Sequence, residues 1–386
     1  QLLSSIGTWM QWTAAPWLVL QLTDSGVALG IDTALGALPI LVFGAWGGVL
    51  ADRIDNRKIQ VWTQSLYAVL AFALFALDAS GVVRVWHVYV LSFLTGMVGA
   101  VDMPTRQTFY LEMVGPAELT NAMSLNTATF TGSRIVGPVI AGVMIGTVGT
   151  APVFLVNGLT YIAVVSALLA MRVAELHPRE RVGKARGQIR EALRYVWRTG
   201  ALRVPLVLMT VVFTLSFNFQ VVVPLLAERT FLGDAGTFGG LLALLGLGSL
   251  VGALVMAARS SASNVWRLAL AAIALGGTSL LLALAPSLPA AWVAAPFAGA
   301  AGTAFAITAN STLQLNASAA FRGRVMALYT VVFIGSTPIG GPIAGWVGEH
   351  LSPRIALGGG ATIAILAGVA TISLLRRGRV KVSRPS

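Results

Sequence analysis

Apolar runs of about 20 residues, separated by short charged or turn-rich breaks, recur along the whole chain. They cover 2–22, 27–51, 59–79, 85–103, 122–149 and 151–172. After a polar stretch from 173 to about 200 they resume over 202–227, 236–258, 265–285, 288–309, 325–348 and 355–375. Each is long enough to cross a bilayer, and in lipid every backbone amide must be satisfied within its own segment. The runs are also too long and too uniformly apolar for the alternating strands of a barrel. The pattern predicts an all-α membrane protein with twelve transmembrane helices, arranged as a bundle over 1–172, a connector over 173–201, a second bundle over 202–375 and a basic tail over 376–386.

An internal repeat supports the count of two times six. At a constant offset of 203 residues, MSLNTATFTGSRIVGPVIAG from Met123 to Gly142 matches MALYTVVFIGSTPIGGPIAG from Met326 to Gly345 at ten of twenty positions. Gly96 and Gly99 match Gly299 and Gly302 at the same offset. Span five therefore corresponds to span eleven. Because six is even, the two copies run in the same direction, the parallel-repeat arrangement of transporters whose halves rock about a central site.

Composition narrows the class. Of 386 residues, 56% are hydrophobic and 10% charged, which excludes a soluble globule. No cysteine is present, so disulfides and thiolate chemistry are excluded; His87, His177 and His350 lie far apart, so no metal cluster is expected. The net charge of +12 is explained by its placement. Arg53, Arg57 and Lys58 follow span two, Arg106 span four, and eight basic residues from Arg172 to Arg198 follow span six. Arg259 and Arg267, Arg322 and Arg324, and the tail from Arg376 continue that parity, whereas the opposite loops hold only Arg84, Arg229 and Arg354. The bias places both termini and the connector in the cytoplasm, with the first span an uncleaved anchor in the cell membrane. It also argues against nucleic acid as a partner, because no single basic patch forms.

Nothing in the sequence points to an enzyme or to a cofactor. No phosphate-binding loop occurs, and Gly246, Gly248 and Gly252 miss the dinucleotide spacing while lying inside a span. In the connector, Ile189, Leu193, Val196 and Trp197 share one helical face and Arg190, Arg194 and Arg198 another. This reads as a helix on the inner membrane surface or as a solvated basic linker.

Ionisable groups inside the apolar slab are functional candidates by default, since each is unfavourable there by about 2.5 kcal/mol or more. Asp32 lies about 9 Å into span two from the outer side, and Arg134 about 18 Å into span five from the inner side. Burial favours a carboxyl's neutral form and a nearby guanidinium its charged form. Asp32 is thus the candidate proton carrier, the alternative being a carboxylate hydrated in an outer vestibule. Arg134 is the candidate partner of an acidic substrate group or the group that sets the carboxylate's proton affinity, the alternative being a static partner of backbone carbonyls. Gln11, Asn126, Asn218, Gln220, Asn310 and Tyr329 are polar candidates for a substrate cavity, or hydrogen-bonding glue between helices.

GVLADRIDNRK, from Gly48 to Lys58, resembles the loop between helices two and three of the major facilitator superfamily, keeping Gly48, Leu50, Ala51, Asp52, Arg53, Arg57 and Lys58 and departing at Asp55 and Asn56. DMPTRQTF from Asp102, RIVGPVIAG in span five, SFNFQVVVP from Ser216 and RGRVMALY from Arg322 resemble the exporter branch that holds the enterobactin exporter and macrolide efflux proteins. The resemblance implies a gating latch of Gly48, Asp52, Arg53, Arg57, Asp102 and Arg106. In it Asp52 would sit at the start of span eleven, where a helix dipole favours a carboxylate, and Arg53 and Arg57 would pair with Asp102. The alternative is ordinary positive-inside charge. Gly132, Gly137, Pro138 and Gly142 resemble the antiporter signature of span five, implying a hinge; plain close packing is the alternative.

The expected function is proton-coupled export, by alternating access, of lipophilic drugs or a secreted metabolite such as a siderophore. Its partners are then a small amphipathic molecule, protons and membrane lipid. Uptake or facilitated diffusion of a small solute is a second reading, and a non-transporting receptor or structural protein a third.

Overall fold

The computed structural model describes residues 1–173, 176–177, 188–258, 263–318 and 321–377, with side chains described throughout except at 45, 49, 51, 52 and 188–192. Among the described residues the regular structure is helical. In order, the helices are α1 (Leu2–Thr23), α2 (Gly26–Arg53), α3 (Asn56–Ala79), α4 (Val85–Val148), α5 (Ala151–Ala170), α6 (Gln188–Arg198), α7 (Gly200–Leu215) and α8 (Phe219–Leu225). A π-helical turn over Leu226–Thr230 follows, then α9 (Ala235–Ala258), α10 (Val265–Ala283), α11 (Leu288–Asn316), α12 (Arg322–Gly335), α13 (Thr337–His350) and α14 (Pro353–Arg376).

Local chemistry sets the ends. Ser25, Asp55, Asn264 and Ser352 each accept a hydrogen bond from the backbone N–H three residues on, capping α2, α3, α10 and α14. At the other end of α1, Asp24 takes a left-handed turn at φ 46° and ψ 33°. The 64 residues of α4 would make a rod of about 96 Å, some three bilayer cores long. Gly115 divides it, with φ 70° and ψ 175°, a conformation open to glycine and followed by Pro116 at a helix start. The two limbs, 85–114 and 116–148, are spans four and five.

Two spans of the later half are each made of consecutive helices. Span seven runs through α7, α8 and the π-helical turn, interrupted at 216–218, and span eleven runs through α12 and α13, with Pro338 just past the join. Counted in this way, the described residues cross the membrane twelve times.

The chain clusters into two compact units, Gln1–Lys184 with Asp234–Ala243, and Ala185–Gly233 with Leu244–Ser386. In the first, α2 lies along the first limb of α4, where Gly47 meets the backbone of Ala100 and Gly96 that of Gly36. Within the second, one side of α6 packs on protein. Its Val196 is buried, its Tyr195 ring stacks on Phe321 at 4.3 Å, and the Tyr195 hydroxyl accepts from the Ser318 N–H. Leu193 and Trp197 remain exposed, while Ile189 and Arg190 lie outside the described side chains.

Candidate functional site

Asp32 is 6% exposed and faces the first limb of α4, where the Ser92 hydroxyl donates to Oδ1 at 2.6 Å. Tyr89 stands one turn away on the same limb, its hydroxyl donating to the Ala28 carbonyl. No cation lies within ion-pair distance of Asp32 among the described residues, and Asp32 and Arg134 do not pair.

Asp102 is the opposite case. At 3% exposure it accepts three hydrogen bonds on Oδ1, from Gln60 at 3.2 Å, Thr63 at 2.8 Å and Gln64 at 3.0 Å, all on α3. Arg106, one turn along the same limb, closes on Oδ2 at 2.6 Å. This satisfies a buried carboxylate on both oxygens and leaves little capacity for another donor. The two-arginine pairing expected of the latch is accordingly not formed here. Arg57 instead donates to the Leu168 and Leu169 carbonyls at 2.8 and 3.1 Å, closing the C-terminal end of α5. Arg53 is exposed, Gly48 has open space around its Cα, and the Asp52 side chain lies outside the described residues.

Each unit holds an aromatic bracket against the first span of its half; Phe130 and Phe333 match at the repeat offset, whereas Trp9 and Trp12 align with Val212 and Leu215, so the ring partners are similar in arrangement and not in register. In the first, Phe130 meets Trp9 edge-on at 5.6 Å and Trp9 meets Trp12 at 5.0 Å. In the second, Phe333, the counterpart of Phe130, meets Phe213 edge-on at 4.9 Å, and Phe213 meets Phe217 at 5.4 Å. Such geometries add about 0.5–1.5 kcal/mol per pair beyond area burial. The first bracket alone carries a charge: the Arg134 guanidinium stands 5.6 Å from the centre of the Trp9 ring, and position 337, its counterpart, is Thr337.

Two of the polar candidates, Asn126 and Gln11, join helices. Asn126 accepts from the Tyr110 hydroxyl at 2.7 Å, which braces the two limbs of α4 across Gly115. Asn310 accepts from Gln314 at 2.7 Å on its own helix, and the Tyr329 ring stacks on Phe333 at 5.9 Å. Gln11 accepts from Asn157 of α5 at 2.6 Å, and the Asn218 amide donates back to the Thr214 carbonyl at the interruption of span seven. Gln220 is half-buried on α8. Of the hinge candidates, a Cβ at Gly137 would stand 2.5 Å from that of Trp9, and one at Gly142 would stand 3.0 Å from the Ala235 carbonyl. The Pro138 carbonyl crowds Gly239, and Gly132 has open space. An apolar groove of about 610 Å³ between α2, α3 and the first limb of α4, walled by Trp62, Leu66, Val69 and Leu94, holds no carboxylate.

Against this geometry, a family profile described as transmembrane secretion effector matches residues 1–383, nearly the whole chain. The chain belongs to that family, within the major facilitator superfamily. As a transmembrane secretion effector it is a multi-pass membrane transporter rather than an enzyme, acting on small molecules. Its sequence is 29% identical over 352 residues to the multidrug efflux pump Tap of Mycolicibacterium fortuitum, covering 87% of this chain and 85% of that one. It is 22% identical over 252 residues to the staphyloferrin A transporter of Staphylococcus aureus, covering 65% and 63% of the two chains. In fold it is similar to the nucleoside transporter NupG in a mutant form, with a TM-score of 0.77 at 12% identity over 97% of this chain and 98% of that one.

Several groups of this secretion effector escape a reading by charge alone. Gln60, Thr63 and Gln64 are uncharged, yet their spacing of three and four puts them on one face of α3, and that polar stripe inside an apolar run was the available signal. Ser92 and Trp9 carry no such signal, because a lone serine or tryptophan in a span is ordinary.

Proposed function

We propose that this transporter is a proton-driven exporter of lipophilic, amphipathic molecules, drugs or a secreted metabolite such as a siderophore. It works by alternating access of its two six-helix halves across the cell membrane, with both termini in the cytoplasm. The observation that carries the coupling is Asp32: a buried carboxyl on a span whose described partner is a neutral hydroxyl. Such a group gains and loses a proton without an ion pair having to break. The cargo reading is supported by similarity to the multidrug efflux pump and the staphyloferrin A transporter, and by aromatic brackets suited to bulky apolar molecules. Export fits the family's description as secretion effectors.

The test is transport of a lipophilic fluorescent dye by reconstituted protein under an imposed pH gradient. Asp32→Asn is expected to abolish the gradient-driven component while the protein stays folded and dye still equilibrates. Undiminished gradient-driven transport by Asp32→Asn would remove Asp32 from the mechanism.

A further inference from the structure

Arg134 holds a full charge inside a membrane span, yet among the described residues no carboxylate lies within 4 Å of it, and none of its N–H groups meets an acceptor. Its one described polar contact is the face of Trp9. A cation over a ring gains about 0.5–2 kcal/mol, which does not replace the hydration of five donors. A guanidinium so placed has to face water or an anion, because facing lipid is unfavourable by about 2.5 kcal/mol or more. The static reading, in which it donates to backbone carbonyls, has no contact here to support it.

The second half of the chain shows that packing does not require the charge. It builds a similar bracket out of register by one or two residues, a phenylalanine edge-on to the first of two rings on the neighbouring span with Phe305 and Tyr329 packed on it, and has Thr337 at the position of Arg134. The guanidinium is therefore an addition to a scaffold that closes without it. Beside it Trp12 and Phe130 are 44% and 50% exposed, so the bracket offers ring surface as well as charge.

We infer that Trp9, Trp12, Phe130 and Arg134 form a subsite for an aromatic organic anion, the acidic end of the exported molecule, and that Arg134 serves cargo selection rather than proton coupling. The rings take the planar apolar part by stacking, and the guanidinium takes a carboxylate through two parallel N–H donors. This inference rests on the exporter reading for its purpose. Its test is an equilibrium measurement, so it stands or falls without any transport being observed.

Binding of 2-naphthoate and of its neutral analogue 2-naphthamide to the purified full chain, by titration calorimetry, decides the matter. The wild type is expected to favour the anion by about tenfold or more, the range of a hydrogen bond to a charged group. Arg134→Thr installs the residue that the other bracket already accommodates; with its melting temperature checked, it is expected to bind both probes equally. Arg134→Lys is expected to keep part of the preference, since a point charge lacks the paired donors. The loss in Arg134→Thr should be the same at about pH 6 and pH 8, where naphthoate and guanidinium both keep their charges. Equal affinity for the two probes in the wild type, or a preference that survives Arg134→Thr, would overturn the inference. So would a loss confined to one pH, which would trace the effect to the proton carrier.

Discussion

Asp32 and Asp102 lie on neighbouring helices of one unit, both almost wholly buried, and differ in how many donors reach them. Asp102 is held by Gln60, Thr63 and Gln64 from α3 and by Arg106 from its own limb, so its charge is neutralised and both oxygens are occupied. Asp32 has the Ser92 hydroxyl and no cation. A saturated carboxylate is a joint between helices, whereas one with spare capacity is free to change its proton occupancy. The number of donors, more than the depth of burial, separates the structural acid from the one we propose as proton carrier.

Substitutions that separate stability from transport sharpen this contrast. Asp102→Ala leaves the half-buried Arg106 without its partner and three side-chain donors without an acceptor, and is expected to destabilise the protein by about 3–5 kcal/mol. Loss of folded material in size-exclusion chromatography and a lowered melting temperature would record it, and a normal melt would reject the joint. Asp234 is an exposed third carboxylate for comparison. It accepts from the Thr237 N–H at 2.9 Å at the start of α9. Asp234→Ala is expected to cost about 1 kcal/mol, the usual value of a helix cap.

The Thr237 backbone N–H, ahead of the Thr237 hydroxyl, holds the Asp234 carboxyl below its ordinary value. A depressed carboxyl contributes stability that is present above its unfolded value and lost as pH falls through the folded one. The difference between wild type and Asp234→Ala in a thermal melt should thus shrink below about pH 4. The smallest effect on stability belongs to Asp32→Asn, expected within about 1 kcal/mol because one neutral hydrogen bond is at stake. That variant is expected to combine a near-normal melt with the loss of pH-driven transport. A large fall in its melting temperature would make Asp32 a joint like Asp102.

Much of the fold was legible in the sequence because hydrophobic runs report crossings directly. The twelve spans, the half repeat and the helical connector are all visible as pattern. What escaped is what depends on where two helices cross. Opposite charge suggested Arg57 for Asp102, but charge carries no direction, and Arg57 reaches the last carbonyls of α5 while uncharged α3 side chains occupy the acid. The interruption of span seven at 216–218 fell inside a continuous apolar run, so hydropathy passed over it. Amphipathic spacing identified α6, yet could not say that Val196 would be buried in protein while Leu193 and Trp197 stay exposed. The Arg134 position was legible as a charge in a span, and its meaning came from comparing the two brackets.

The bond from Tyr110 to Asn126 has a consequence for how two spans are coupled. It joins the limbs of α4 on either side of Gly115, the one point where that long helix turns. A turn fastened in this way ties spans four and five to each other, so a shift of one is passed to the other through a single side-chain bond.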